Sequence, residues 1–113
     1  RKVKRKIRNK NINERKNMKF LQIMEFSGAP EDAEQALKQY IEKADGRSYA
    51  RKATICVDRD NPGTLLQLIE FDSWEEAQKN NELEITNDDH EETQDSFGEI
   101  TFRNLDVFAE YKV

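Results

Sequence analysis

Apolar and polar positions alternate, then recur at helical spacing, and then do both again further along the chain. Lys19 to Phe26 reads as a strand with Leu21, Ile23 and Glu25 on one face and Gln22, Met24 and Phe26 on the other. Pro30 suits a first helical position, and Glu31 and Asp32 complement the helix dipole. Ala33, Ala36, Leu37, Tyr40, Ile41 and Ala44 follow at helical spacing until Asp45-Gly46 ends the pattern. Tyr49 to Asp58 predicts a second strand, with Ala53, Ile55 and Val57 on one side. The turn residues Asp60-Asn61-Pro62-Gly63 then join it as a hairpin to a third strand, Thr64 to Phe71. That third strand has no polar face, with Leu66 and Leu68 opposite Leu65 and Ile69, so burial on both sides is expected.

The second half opens on Ser73-Trp74-Glu75-Glu76, a capping box that starts a helix. Apolar content is sparse after Trp74, Ala77, Leu83 and Ile85, and from Glu82 to Asp95 seven acids surround the lone His90. This predicts a broken or second helix, much of it solvated. Phe97-Gly98 closes it, and Thr101 to Tyr111 reads as a last strand with Leu105, Val107, Ala109 and Tyr111 on one face.

The order is therefore β-α-β-β-α-β, a ferredoxin-like α+β arrangement: a four-stranded sheet with antiparallel pairs and helices on one face. The phrase Leu21-Gln22-Ile23-Met24-Glu25-Phe26 returns as Leu66-Gln67-Leu68-Ile69-Glu70-Phe71. It is expected to form the central pair of strands, running parallel, with Gln22 near Gln67 on one face and Glu25 near Glu70 on the other. Helices cover only one sheet face, and the apolar content of the other predicts a second subunit there.

Composition strengthens that expectation. The 113 residues make one domain, and with 35% apolar against 37% charged residues its core is thin, which dimerisation would remedy. The net charge of −4 conceals an asymmetry. Residues 1–17 hold nine Lys/Arg and one Glu, whereas 18–113 hold ten Lys/Arg and twenty-two Asp/Glu. A basic N-terminal arm, 1–17, is thus set apart from an acidic domain, 18–113. With only Val3, Ile7 and Ile12 apolar, the arm is expected to be disordered, and Met18-Lys19-Phe20 resembles a natural start, so a leader is the first reading of it. Association with nucleic acid or another anionic surface is the second, weakened because the basic run has no interleaved aromatics. The single Cys56 excludes an internal disulfide and fits a reducing cytoplasm, and no stretch reads as membrane-spanning.

Candidate chemistry is limited. Trp74, Tyr40 and Tyr49 are placed to line a cavity between sheet and helices, where an aromatic ligand would stack and Gln22 or Gln67 would orient a carbonyl. Ordinary core packing is the competing account of those aromatics. His90 and Trp74 are the candidate catalytic residues, although the acidic surroundings of His90 point to a solvated helix face. No metal site is expected, since one His and one Cys do not make a transition-metal set. Cys56 reads as a buried, reduced strand residue. Glu25 and Glu70 read as salt-bridge partners of Arg47, Arg51, Lys52 or Arg103.

Residues 18–111 resemble the antibiotic biosynthesis monooxygenase (ABM) superfamily of dimeric α+β barrels, and within it a small bacterial subgroup without an assigned reaction. The resemblance rests on Leu21 to Phe26, Asp58 to Gly63, Gln67 to Phe71, Ser73 to Ala77 and Phe102 to Val107. It implies a homodimer, no cofactor, and either a monooxygenase acting on an aromatic or quinone-like substrate without metal or flavin, or a haem-degrading enzyme. The haem branch needs an Asn on the first strand and a Trp and a His on the second helical segment. Here only His90 is present, polar residues such as Asn80 stand at the Trp place, and the first strand has no Asn. The leading expectation is a cytoplasmic, cofactor-independent monooxygenase with a small-molecule cavity. The alternative is a non-catalytic dimeric binding or scaffold protein, with nucleic-acid association through the arm third.

Overall fold

The structure, a computed structural model, describes residues 18–113; the expectations for the arm, 1–17, lie outside the described residues. Its elements run β1 (Phe20–Ser27), α1 (Pro30–Ala44), β2 (Lys52–Val57), β3 (Thr64–Phe71), α2 (Trp74–Asn81), α3 (Glu84–Phe97) and β4 (Thr101–Asp106). α1 starts on Pro30 with Glu31 and Asp32 in its first turn, and it ends where Asp45 turns left-handed (φ 46°) and donates its N–H to Ile41 O at 3.1 Å. The Ser73 hydroxyl accepts from Glu76 N at 3.2 Å and so caps α2, while the Glu76 carboxylate lies 3.4 Å from Lys79 Nζ. The acidic segment is broken, as its sparse apolar spacing implied: the chain turns extended at Leu83 (φ −69°, ψ 135°) before α3 begins.

The four strands lie in the order β2-β3-β1-β4, and every neighbouring pair is antiparallel. The repeated phrase does form the central pair, but it runs antiparallel, which corrects the parallel expectation. The α1 crossover brings β2 back in the direction of β1, and the hairpin at Asp58–Thr64 then reverses β3. That hairpin is closed by Asp58 N to Thr64 O (3.0 Å), Thr64 N to Asn61 O (2.8 Å) and Asp60 N to the Asp58 carboxylate (2.9 Å). Reversal also separates the two glutamates. Glu25 stands opposite Leu66 and Glu70 opposite Leu21, so they lie about 13 Å apart along the strands. Glu70 instead meets Lys52 across the β2–β3 pair at 3.9 Å.

Two strands are shorter than the sequence predicts. β2 begins at Lys52, with Arg51 N still bonded to Glu70 O of β3 at 2.7 Å, because the donors before that are diverted to side chains: Tyr49 N to Asn80 Oδ1 at 3.0 Å and Ala50 N to Ser48 Oγ at 3.1 Å. β4 ends at Asp106 and is exposed along its length, with one further bond from Val107 N to Lys19 O at 2.8 Å.

The register sorts the sheet into rows on the face under the helices. Phe102, Met24, Gln67 and Ile55 make one row across β4, β1, β3 and β2, and Asn104, Gln22, Ile69 and Ala53 make the next. Toward one end of the strands Met24, Phe26, Ala33 and Leu65 form a buried cluster, with the Phe97 ring tilted against Phe26 at a centroid distance of 5.1 Å. At the other end Phe20, Phe71 and Ala77 form a second cluster. The opposite face carries Leu21, Ile23, Leu66, Leu68, Cys56 and Leu105, and all three helices pack on the other side. Cys56 is half-buried on that face, not enclosed in the core as its strand position had implied.

Candidate functional site

Between the two clusters the helices stand off the sheet and leave a cavity of about 440 Å3. Its floor is the two rows that contain Met24, Gln67, Gln22 and Ile69, and its roof is α1 and α3. α1 contributes small residues, Ala33, Ala36 and Ala44, so that its backbone roofs the space without filling it, together with Leu37 and Tyr40. α3 contributes Thr86, Asp89, His90, Thr93 and Phe97, a helical stripe in which only Phe97 is strongly apolar.

Tyr40 anchors a polar cluster at one wall. Its hydroxyl lies 2.9 Å from Thr86 Oγ1, 3.2 Å from Ser48 Oγ and 3.4 Å from Asn80 Oδ1. Asn80 Oδ1 also accepts from Ser48 Oγ and Tyr49 N, both at 3.0 Å. Asn80 and Thr86 are buried, and the mutual bonds satisfy them. One amide oxygen thus ties α1, α2, the start of β2 and, through Tyr40, α3 together.

His90 does not lie on a solvated helix face, which corrects that expectation. It is half-buried in the cavity wall, with its ring 6.1 Å from the Phe102 ring, and burial lowers its pKa below the usual histidine value. It is therefore neutral at pH 7, with a nitrogen lone pair available. Beside it, burial and the charge of Glu92 push Asp89 from 3.8 up to about 6, with Lys43 opposing. Lys43 itself lies 3.6 Å from Glu92 across the α1–α3 contact.

Of the other sequence candidates, Gln22, Gln67 and Tyr40 line this cavity. Tyr49 and Trp74 do not. Trp74 packs its ring 4.9 Å from Phe20 and stays 40% exposed, and Tyr49 packs against the Phe20–Phe71–Ala77 cluster under Lys79. Ser48, Asn80, Thr86 and Asp89 were not singled out as site residues from sequence. The spacing 86, 89/90, 93, 97 was the available signal for α3, masked because the stripe is polar. Among the described residues no cluster of His, Cys, Asp or Glu is arranged to hold a metal, and no helix is long and apolar enough to cross a membrane.

The raised pKa of Asp89 makes a pH-dependent prediction. Its folded state favours the protonated form, so the associated stability is complete below about pH 3.8 and is lost as pH rises through about 6. Asp89→Asn should therefore raise Tm above that of the parent protein at pH 8, with the difference shrinking toward pH 4. His90 titrates in the opposite sense in both proteins and cancels from the comparison. Thermal melts at the two pH values check this, and a difference independent of pH would contradict it.

No family model matches the chain, and no curated protein matches it. Solved structures do. SnoaB from Streptomyces nogalater, described as a cofactor-independent oxygenase and solved as a single-substitution variant, superposes with a TM-score of 0.68 at 8% identity, covering 81% of this chain and 95% of that one. A protein from Deinococcus radiodurans proposed to be an antibiotic biosynthesis monooxygenase gives 0.66 at 10% identity, covering 85% and 98%. Rv0793 from Mycobacterium tuberculosis gives 0.65 at 12% identity, covering 83% and 99%. At such identities the likeness is one of fold. The chain has the ferredoxin-like α+β fold of these proteins over nearly their whole length, which is the fold that the resemblance read from its sequence implies.

Proposed function

We propose that the chain is a cofactor-independent monooxygenase that oxidises an electron-rich aromatic in the cavity, working as a homodimer. The supporting observation is the cavity itself. Its volume, about 440 Å3, falls within the roughly 300–1,000 Å3 of small-ligand sites, and its walls join apolar surface to a few convergent polar groups, among them the neutral His90.

The chemistry follows from what those groups offer. Without a metal or flavin, the substrate must supply the electrons that reduce dioxygen. A ring bearing a hydroxyl, or a CH2 conjugated through the rings to a carbonyl, becomes a good one-electron donor once deprotonated. Neutral His90 accepts that proton. Electron transfer to dioxygen, recombination at carbon to a peroxide, and loss of water convert CH2 to C=O. One oxygen atom enters the product and the other leaves as water. The surrounding Met24, Ile69, Phe97 and Leu37 exclude solvent and disfavour escape of superoxide.

Oxygen uptake with a tricyclic anthrone as substrate tests the reading. His90→Gln should lower kcat by roughly 100-fold or more with Tm changed by only a few degrees, since the half-buried ring makes no hydrogen bond among the described residues. Unchanged turnover in His90→Gln would remove His90 from the mechanism.

The dimer is proposed through the outer sheet face, where Leu21, Ile23, Leu66 and Leu68 form an apolar patch flanked by Glu25 and Arg103 on the same face. A second copy offers the same patch, and a two-fold arrangement can set Glu25 of one copy against Arg103 of the other. A non-catalytic binding role on the same fold is the second reading, favoured by the polar groups around Tyr40 being satisfied by one another.

A further inference from the structure

The floor of the cavity holds two side-chain amides whose hydrogen-bonding capacity is largely unspent. Gln22 is 8% exposed, and its carboxamide has a single bond, Nε2 to Asn104 Oδ1 at 3.4 Å, near the limit for one. Gln22 lines the cavity, and its amide oxygen has no protein partner among the described residues. Gln67 makes no side-chain hydrogen bond among the described residues, and its row neighbours on either side are Met24 and Ile55, which offer none. Polar groups held among apolar neighbours are ordinarily paired, because an unpaired buried amide is costly. The Tyr40 cluster in the same cavity obeys that rule, and among the described residues no enclosed side-chain polar atom lacks a partner, so the unspent groups of the two glutamines are ones that the cavity leaves accessible to a ligand.

Position makes them a pair. Gln22 faces Ile69 and Met24 faces Gln67 in the β1–β3 register, so the two glutamines are diagonal neighbours on one face, roughly 7–8 Å apart with their Cβ atoms somewhat nearer. Both side chains are long enough to converge on one ligand edge. Each amide presents a donor and an acceptor, and the edge complementary to such a pair carries the same alternation.

We propose that Gln22 and Gln67 are specificity-determining residues that read an edge with a carbonyl next to an O–H or N–H group on a fused aromatic ring. The carbonyl accepts from one amide and the O–H or N–H donates to the other. This rests on the cavity being the ligand site, as in the oxygenase reading, and adds which edge of the ligand faces the sheet. A ring hydroxyketone and a ring lactam share that edge chemistry. A hydrocarbon or a methyl ether does not, and would leave the amides desolvated and unpaired.

The test is equilibrium binding, independent of turnover, followed by fluorescence quenching with the full chain. The probes are 1-hydroxyanthraquinone, its 1-methoxy ether, 4-hydroxyquinolin-2-one and 2-naphthalenesulfonate as a fused ring lacking the edge. The hydroxyanthraquinone should bind at least about 10-fold more tightly than its ether. Gln67→Leu and Gln22→Leu should each erase most of that ratio while leaving the naphthalenesulfonate Kd within twofold. Gln67→Met serves as the second variant if Gln67→Leu fails to fold. The quinolinone arm distinguishes the two sources of the edge: binding sensitive to both variants assigns the lactam as well, whereas binding of the hydroxyketone alone restricts the proposal to O–H. Equal affinity for hydroxyl and methyl ether in the parent protein overturns the proposal while leaving the cavity as an aromatic site. Failure of every probe to bind overturns the oxygenase reading together with it.

Discussion

Leu68→Arg is expected to leave the protein monomeric. Leu68 pairs with Ile23 and Thr54 at the centre of the outer sheet face, on the side away from all three helices. A guanidinium there remains hydrated in the monomer but would be buried without a partner between two sheets, at a cost of about 3–5 kcal/mol. That raises the dimer Kd by more than about 100-fold. Because the inner face is untouched, the monomer should keep its secondary structure. Light scattering at micromolar concentration reads the outcome: a dimer for the parent chain and a monomer for Leu68→Arg. A parent chain that is monomeric at that concentration would sink the homodimer proposal.

The second large effect is expected at Asn80. Its Oδ1 accepts from Tyr49 N and Ser48 Oγ and lies 3.4 Å from the Tyr40 hydroxyl, all in buried or half-buried surroundings. Asn80→Leu removes the shared acceptor and strands a backbone N–H, for a loss of about 2–4 kcal/mol. For a domain of this size that is a fall in Tm of roughly 10 °C or more. Asn80→Asp keeps an acceptor oxygen in place and should lose much less. Equal destabilisation by Asn80→Asp, which matches asparagine in volume and keeps the oxygen, would show that the shared acceptor is not what this position supplies.

The fold was largely legible because its signals are local. Pro30, Asp45-Gly46 and Ser73 punctuate helices through backbone chemistry that needs no tertiary partner, and the turn Asp58–Thr64 announces the hairpin. Strand direction was less so. The repeated phrase invited a parallel pair, because similar sequences suggest similar placement, whereas direction is set by the connections: one crossover, then one hairpin. A reversed register then carried Glu25 and Glu70 to opposite ends while leaving Gln22 and Gln67 diagonal neighbours, since a reversal about the strand centre moves end residues most.

The site was partly legible for a related reason. Gln22, Gln67 and Tyr40 stand on elements with clear apolar faces, so the side they share could be assigned from period alone. α3 has no such face. Among its acids, His90 and Asp89 look solvated until α1 is seen to pack across them, and Asn80 and Thr86 are buried polar residues that hydropathy assigns to the surface. Trp74 misled in the opposite sense. As the largest apolar side chain it drew the reading toward a cavity, but at the first turn of α2 it covers Phe20 from outside.

In the proposed reaction, dioxygen reacts with an aromatic bound in the cavity under no influence but that of the protein's own side chains. Isotope labelling tests this most directly. Anthrone incubated with the chelator-treated protein under 18O2 should yield anthraquinone carrying one 18O atom, at a rate above the uncatalysed background, with the second labelled atom recovered as water. A product whose new oxygen comes from the solvent, or labelling no faster than without protein, would contradict it.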